Sequence, residues 1–107
     1  MLETELRNVM QAWFAEWEPR WKEIPVWSKL ILSDRRELNK AGAHLKAQGH
    51  LCSITVWGRG TLEFIILDTS TSRETVIDEE FESADDLRSK LNDFSRQFLR
   101  SVTPAGR

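Results

Sequence analysis

Residues 53–68 read SITVWGRGTLEFIILD, two apolar-rich runs on either side of Gly58-Arg59-Gly60. A three-residue hairpin loop asks for a left-handed residue at its last position, and Gly60 supplies it without a Cβ penalty. That loop sets a register in which Trp57 faces Thr61, Val56 faces Leu62, Thr55 faces Glu63, Ile54 faces Phe64, Ser53 faces Ile65, Cys52 faces Ile66 and Leu51 faces Leu67. One side of the hairpin is then apolar throughout: Val56, Leu62, Ile54, Phe64, Cys52 and Ile66. The other carries Trp57, Thr61, Thr55, Glu63 and Ser53 before turning apolar at Ile65, Leu51 and Leu67. A strand wetted on one side alternates apolar with polar, yet Phe64-Ile65-Ile66-Leu67 does not, so part of the second face is expected to be covered as well.

The flanking segments supply helices for the first face. Leu2, Leu6, Val9, Met10, Trp13, Phe14 and Trp17 recur at the spacing of one helical stripe, which predicts an N-terminal helix with Trp13 and Trp17 buried. Pro19 disfavours helical geometry at Glu18, so this helix is expected to end or kink there, leaving Trp21, Pro25 and Trp27 in a connector. At the other end, Ser83 as cap and Asp86 three residues later open a helix whose apolar face is Leu87, Leu91, Phe94, Phe98 and Leu99. After the polar turn DTSTSR, the run RETVIDEEF predicts a third strand, with Asp68 opposite Arg73. Ile77 then joins Phe64 on the core face, while Val76 joins Ile65 and Asp78 joins Glu63 on the other. Residues 33–49 are ambiguous: Ser33 as cap with Leu38, Ala41 and Leu45 reads as a helix, whereas the alternation of Ala43, Leu45 and Ala47 with His44 and Lys46 reads as a strand from about Ala41. The alternation runs directly into the hairpin, and the strand reading is preferred. The expectation is an α+β domain over residues 1–103: a helix, an antiparallel meander of three to four strands and a second helix, with the helices mainly on one sheet face. A frayed tail is expected at residues 104–107.

Composition narrows the function. The chain has 107 residues and a formal net charge of −2, with a pI near 5.7, so it has no global attraction for phosphate backbones or anionic lipid. Neither nucleic acid nor a membrane is an expected partner. The N-terminal MLETELRNVM lacks a basic stretch followed by an apolar one, and no apolar run approaches the roughly 20 residues needed to span a bilayer. A single cysteine, Cys52, rules out an internal disulfide and suits a reducing compartment, so a cytoplasmic location is expected.

No constellation for catalysis stands out. His44, His50 and Cys52 are the chain's histidines and cysteine, one ligand short of an ordinary structural zinc site, and a Cys–His dyad lacks an orienting acid. Glycine-rich phosphate loops and nucleophile elbows are missing from the sequence. The expectation is a non-enzyme with no metal or cofactor. Five tryptophans with no tyrosine need placing: beyond Trp13 and Trp17, Trp21 and Trp27 are read as lids over the apolar end of the sheet, with anchoring of a partner as the alternative. The run DEEFESADD holds six carboxylates in nine residues. The helix cap accounts for Asp85 and Asp86, and a charged edge strand resists aggregation. A sharper reading makes Trp57, Glu63, Ile65, Val76, Asp78, Glu79 and Glu80 a binding surface, an aromatic anchor inside a charged rim.

The segments SITVWGRGTLEFIILDTSTSRETV and SADDLRSKLNDF resemble the TriTu family of immunity proteins from bacterial polymorphic-toxin systems. The likeness is carried by Ile54-Thr55-Val56-Trp57, Gly60, the strand closing on Leu67-Asp68, and Leu87, Leu91 and Phe94 of the last helix. It covers about the C-terminal half, and Gly58-Arg59 departs from the acidic residue that follows the tryptophan in the family pattern. The resemblance implies a small cytoplasmic protein that binds and neutralises a cognate toxin without enzymatic activity. The alternative is a small acidic secretion chaperone or homodimeric adaptor, whose partner would be an effector segment or a second copy of the chain.

Overall fold

The computed structural model describes residues 2–32 and 39–102. Helix α1 (Glu3–Glu23) precedes five strands, β1 (Trp27–Leu32), β2 (Lys40–Ala47), β3 (His50–Trp57), β4 (Thr61–Asp68) and β5 (Arg73–Glu80), and helix α2 (Ala84–Val102) follows them. The strands form one antiparallel sheet in the order β1-β2-β3-β4-β5. The α+β class and the order helix, meander, helix are as the sequence predicts, but the sheet has five strands rather than three to four. The additional strand is β1, in the stretch read as connector. WSKLIL alternates with Trp27, Lys29 and Ile31 exposed and Ser28, Leu30 and Leu32 half-buried, and Pro25 just ahead of it obscured that alternation.

The expected end of α1 near Glu18 is also overturned, because Pro19 lies inside the helix. A proline in mid-helix costs about 3 kcal/mol through its lost N–H and its contact with the carbonyl four residues earlier. Here that carbonyl belongs to Ala15, which is exposed and can turn toward water. Continuing the helix places Trp21 in the core, fully buried, with its ring edge-on to Trp13 at 5.5 Å between centroids and to Phe14 at 5.9 Å. Burying an aromatic of that size contributes about as much as the proline costs. Trp21 therefore packs beneath the sheet on the helix side and is no lid on the other face. Trp27 does lie on the other face, at the start of β1, but 56% exposed.

Both helices cover one face. Leu6, Met10, Trp13, Trp17 and Trp21 of α1 and Leu87, Leu91, Phe94 and Phe98 of α2 form a single cluster with Ala41, Ala43, Leu45, Cys52, Ile54, Val56, Leu62 and Phe64 of the sheet. Phe64 and Phe94 stack with centroids 3.9 Å apart. Small residues on β2, Ala41 and Ala43, share the cluster with the tryptophans of α1, an alternation of small and large side chains that suits close packing of a helix on a sheet. The helix–helix seam is polar where it must be: Trp13 Nε1 donates to buried Ser95 Oγ at 2.9 Å and Trp17 Nε1 to Asn92 Oδ1 at 2.9 Å.

The hairpin register is reproduced pair for pair, from Leu51 opposite Leu67 to Trp57 opposite Thr61. Gly60 takes a φ of 112°, in the region that excludes a Cβ, and donates its N–H to Trp57 O at 3.0 Å. The third strand of that reading, now β5, pairs as expected, with Asp68 opposite Arg73 and Glu63 opposite Asp78. Of the two readings of residues 33–49, the strand holds for Lys40–Ala47, while Ser33 and Leu38 lie outside the described residues, as do residues 103–107. No described helix is long and apolar enough to cross a membrane.

Candidate functional site

The sheet's second face is built by the alternate residues of all five strands. From β1 come Trp27, Lys29 and Ile31; from β2, Lys40, Gly42, His44 and Lys46; from β3, Leu51, Ser53, Thr55 and Trp57. Thr61, Glu63, Ile65 and Leu67 of β4 and Glu74, Val76, Asp78 and Glu80 of β5 complete it. Among the described residues no helix packs here. Trp27, Ile31 (39%), Leu51 (38%) and Val76 (48%) are the large apolar side chains it leaves exposed.

Charge on this face is sorted by strand. Lys29, Lys40 and Lys46, with His44 among them, stand on β1 and β2, whereas Glu63, Glu74, Asp78 and Glu80 stand on β4 and β5. Among the described residues none of these carboxylates and ammonium groups forms an ion pair; the pairs present, such as Arg88 with Glu16 and Lys90 with Asp86, lie on the helices. Between the two halves runs β3, which contributes Leu51, Ser53, Thr55 and Trp57 and no charge.

The structure brings six of the seven residues proposed from sequence onto this face. Trp57, Glu63, Ile65, Val76, Asp78 and Glu80 share its parity; Glu79, opposite Leu62, has the parity of the helix-covered face. A hollow of about 610 Å³ at the sheet corner is lined by Trp57, Arg59, Thr61, Leu62, Glu63, Asp78, Glu79 and Glu80, so Glu79 borders it from the edge. The guanidinium of Arg59 lies over the Trp57 ring, 5.5 Å from its centroid, and its Nε donates to Thr61 Oγ1 at 3.2 Å. Ile65 sits centrally between Ser53 and Val76. The basic half was missed, because Lys29 belongs to the unrecognised strand and Lys40 and Lys46 to the ambiguous segment; the alternation of WSKLIL was the signal that could have found it.

The remaining candidate chemistry separates. His44 points to the open face while Cys52 is buried in the core, and burial pushes the Cys52 thiol up to about 12. His50 sits at the turn end of β3, opposite Ala47. A thiol so held is a thiol, not a thiolate, at neutral pH, and a nucleophilic role does not follow from its position. Among the described residues no three His, Cys, Asp or Glu side chains are grouped to hold a metal ion.

Neither a family model, nor a curated protein, nor a solved structure matches the chain.

Proposed function

We propose that this chain is an immunity protein, which binds a cognate bacterial toxin in the cytoplasm of the producing cell and blocks its active or substrate-binding surface. The resemblance of the hairpin and the last helix to the TriTu family suggests the class. The observation that carries the reading is the sheet face that the chain's own helices leave open, with Trp57 beside carboxylates that lack ion-pair partners among the described residues. Desolvating an unpaired carboxylate against a cation of the partner, with an aromatic anchor next to it, is how a compact surface gains specificity and a fast encounter rate.

The acidic half of the face fits a basic cleft. If the toxin is a nuclease, Glu63, Asp78 and Glu80 would offer its basic cleft negative charge in place of the phosphates of its nucleic-acid substrate. Glu79 has the other parity and borders the same hollow from the edge, so it adds negative charge beside the face rather than on it. The test is a pull-down of the tagged chain from its native cell lysate beside a Trp57→Ala/Glu80→Lys variant. Mass spectrometry would identify captured proteins, and co-expression would show whether the captured domain is toxic and is neutralised by this chain. A toxin domain captured by the wild type alone supports the reading. Capture of an export effector, or of a protein whose toxicity the chain leaves untouched, contradicts it.

A further inference from the structure

The open face is charged in mirror order about its middle strand. Two columns to one side of β3 carry Lys29, Lys40 and Lys46, two columns to the other carry Glu63, Glu74, Asp78 and Glu80, and β3 adds no charge of its own to the face, although Arg59 of the following loop lies over its Trp57. From this we propose that, in the absence of any other partner, two copies of the chain pack open face to open face about a two-fold axis running along β3. The proposal goes beyond the toxin reading and does not depend on it.

Charge selects the axis. Two sheets facing each other can be related by a two-fold parallel to the strands or by one across them. The axis across the strands lays β1 over β1 and β5 over β5, setting lysines against lysines and carboxylates against carboxylates. The axis along β3 lays β1 over β5 and β2 over β4. Lys29 of one copy then comes over Val76, which is flanked on its own strand by Glu74 and Asp78. Lys40 comes over Thr61, where Glu63 and Glu80 attract it and Arg59, bonded to Thr61 Oγ1, opposes them in part, and Lys46 comes over Leu67, beside Glu74. Face-to-face sheets lie about 10 Å apart, a distance that lysine and glutamate side chains span between them.

The same superposition covers the apolar residues left in water. Leu51 and Trp57 lie on the axis strand and meet their own copies, Trp27 reaches the end of β5, and Ile31 comes over the row of Asp78. This supplies a second answer to the unbroken apolar run of β4: Ile65 and Leu67 face the opposite sheet as Phe64 and Ile66 face the helices. The face spans five strands of up to eight residues, a footprint of about 600 Å² per copy at ordinary strand spacing. Twice that area sits at the low end of stable interfaces, which together with a contact resting on charge makes a weak dimer, loosened further by salt, the expectation. A contact of that strength can be displaced by a tighter partner using the same face.

Sedimentation velocity of the purified chain at concentrations from about 5 to 200 µM, at low and at high salt, tests the proposal. The wild type is expected to dimerise, with its midpoint moving at least tenfold to higher concentration between low and high salt. Lys29→Glu/Lys40→Glu/Lys46→Glu and Glu63→Lys/Asp78→Lys/Glu80→Lys are each expected to be monomeric with an unchanged far-ultraviolet circular dichroism spectrum, and to form a one-to-one dimer when mixed. Should the triple variants misfold, the single variants Lys29→Glu and Asp78→Lys report the same pairing by weakening and then mutual rescue. A wild type that stays monomeric at 200 µM and low salt overturns the proposal. So does a dimer that survives both reversals, which would place the contact on the helices or a sheet edge.

Discussion

Single side chains decide how the two helices meet. Trp13 Nε1 donates to Ser95 Oγ, which in turn donates to Leu91 O at 2.7 Å, so a hydroxyl that is wholly buried is satisfied twice. Ser95→Ala leaves the Trp13 N–H buried without an acceptor and is expected to destabilise by about 1–3 kcal/mol in urea unfolding. The double variant with Trp13→Phe should cost less than the sum of the two single changes, and additivity within error would show that the bond contributes nothing. Trp21 Nε1, equally buried, has no hydrogen-bond partner among the described residues; Trp21→Phe therefore removes ring volume but no hydrogen bond to any of them. It is expected to cost less than Trp13→Phe in the same assay. The thiol of Cys52 has its pKa raised to about 12 by burial, and a thiol reagent at pH 8 should label it only as fast as the chain opens. Prompt labelling of the native protein would contradict that burial.

The elements show why some of the fold could be read from the sequence and some could not. The central hairpin was legible because local chemistry and long-range pairing agree: Gly60 permits one loop, the loop fixes one register, and that register puts every apolar partner on one side. Gly60→Ala, forced into a φ of 112°, should destabilise by about 1–2 kcal/mol on this ground alone. The extent of α1 was not legible, because Pro19 is a local signal against helix and the burial of Trp21 is a tertiary effect invisible at that position. β1 was hidden by the same segment, and with it half of the candidate site. The cap of α2 lay between these cases. Ser83 Oγ accepts the Asp86 N–H at 3.0 Å as a capping box requires, while the Asp86 carboxylate accepts the N–H of Glu82 at 3.0 Å, one residue earlier than the usual box. That bond, then Lys90, holds the Asp86 carboxyl below its usual range. Hydrogen bonding to Arg88 likewise lowers Glu16, and the Ser70 hydroxyl and N–H lower Asp68 at the β4–β5 turn.

A carboxyl with a depressed folded pKa contributes stability that is present above its unfolded pKa, near 4, and is lost as pH falls through the folded value. The melting temperature is thus expected to fall on acidification from about pH 5 to pH 3. Asp86→Asn, with one such group removed, should show a smaller fall; an identical profile would mean that Asp86 is not part of the linkage.

For the whole molecule, the main consequence of five strands with helices on one side is a second face whose charge is polarised. Sequence reading found its acidic half and Trp57, because β4 and β5 follow from the hairpin. The basic half needed β1 and β2, and only their pairing, Lys46 opposite Trp27 and His44 opposite Lys29, reveals that the two signs share one surface. An open sheet face of this kind has the chemistry that the proposed recognition role calls for: exposed aromatic and aliphatic groups beside charge of both signs without ion-pair partners among the described residues. The parity of β5 gives a built-in control, because Glu79 and Glu80 are adjacent in sequence but lie on opposite faces. The most direct measurement is therefore the affinity of the captured toxin domain, by calorimetry, for wild type, Glu63→Gln/Asp78→Asn/Glu80→Gln and Glu79→Gln. The account predicts a loss of about 100-fold or more for the triple variant, near 3 kcal/mol, and a change of less than about threefold for Glu79→Gln. Equal affinity for all three, or a loss confined to Glu79→Gln, would contradict the claim that the open sheet face carries the recognition.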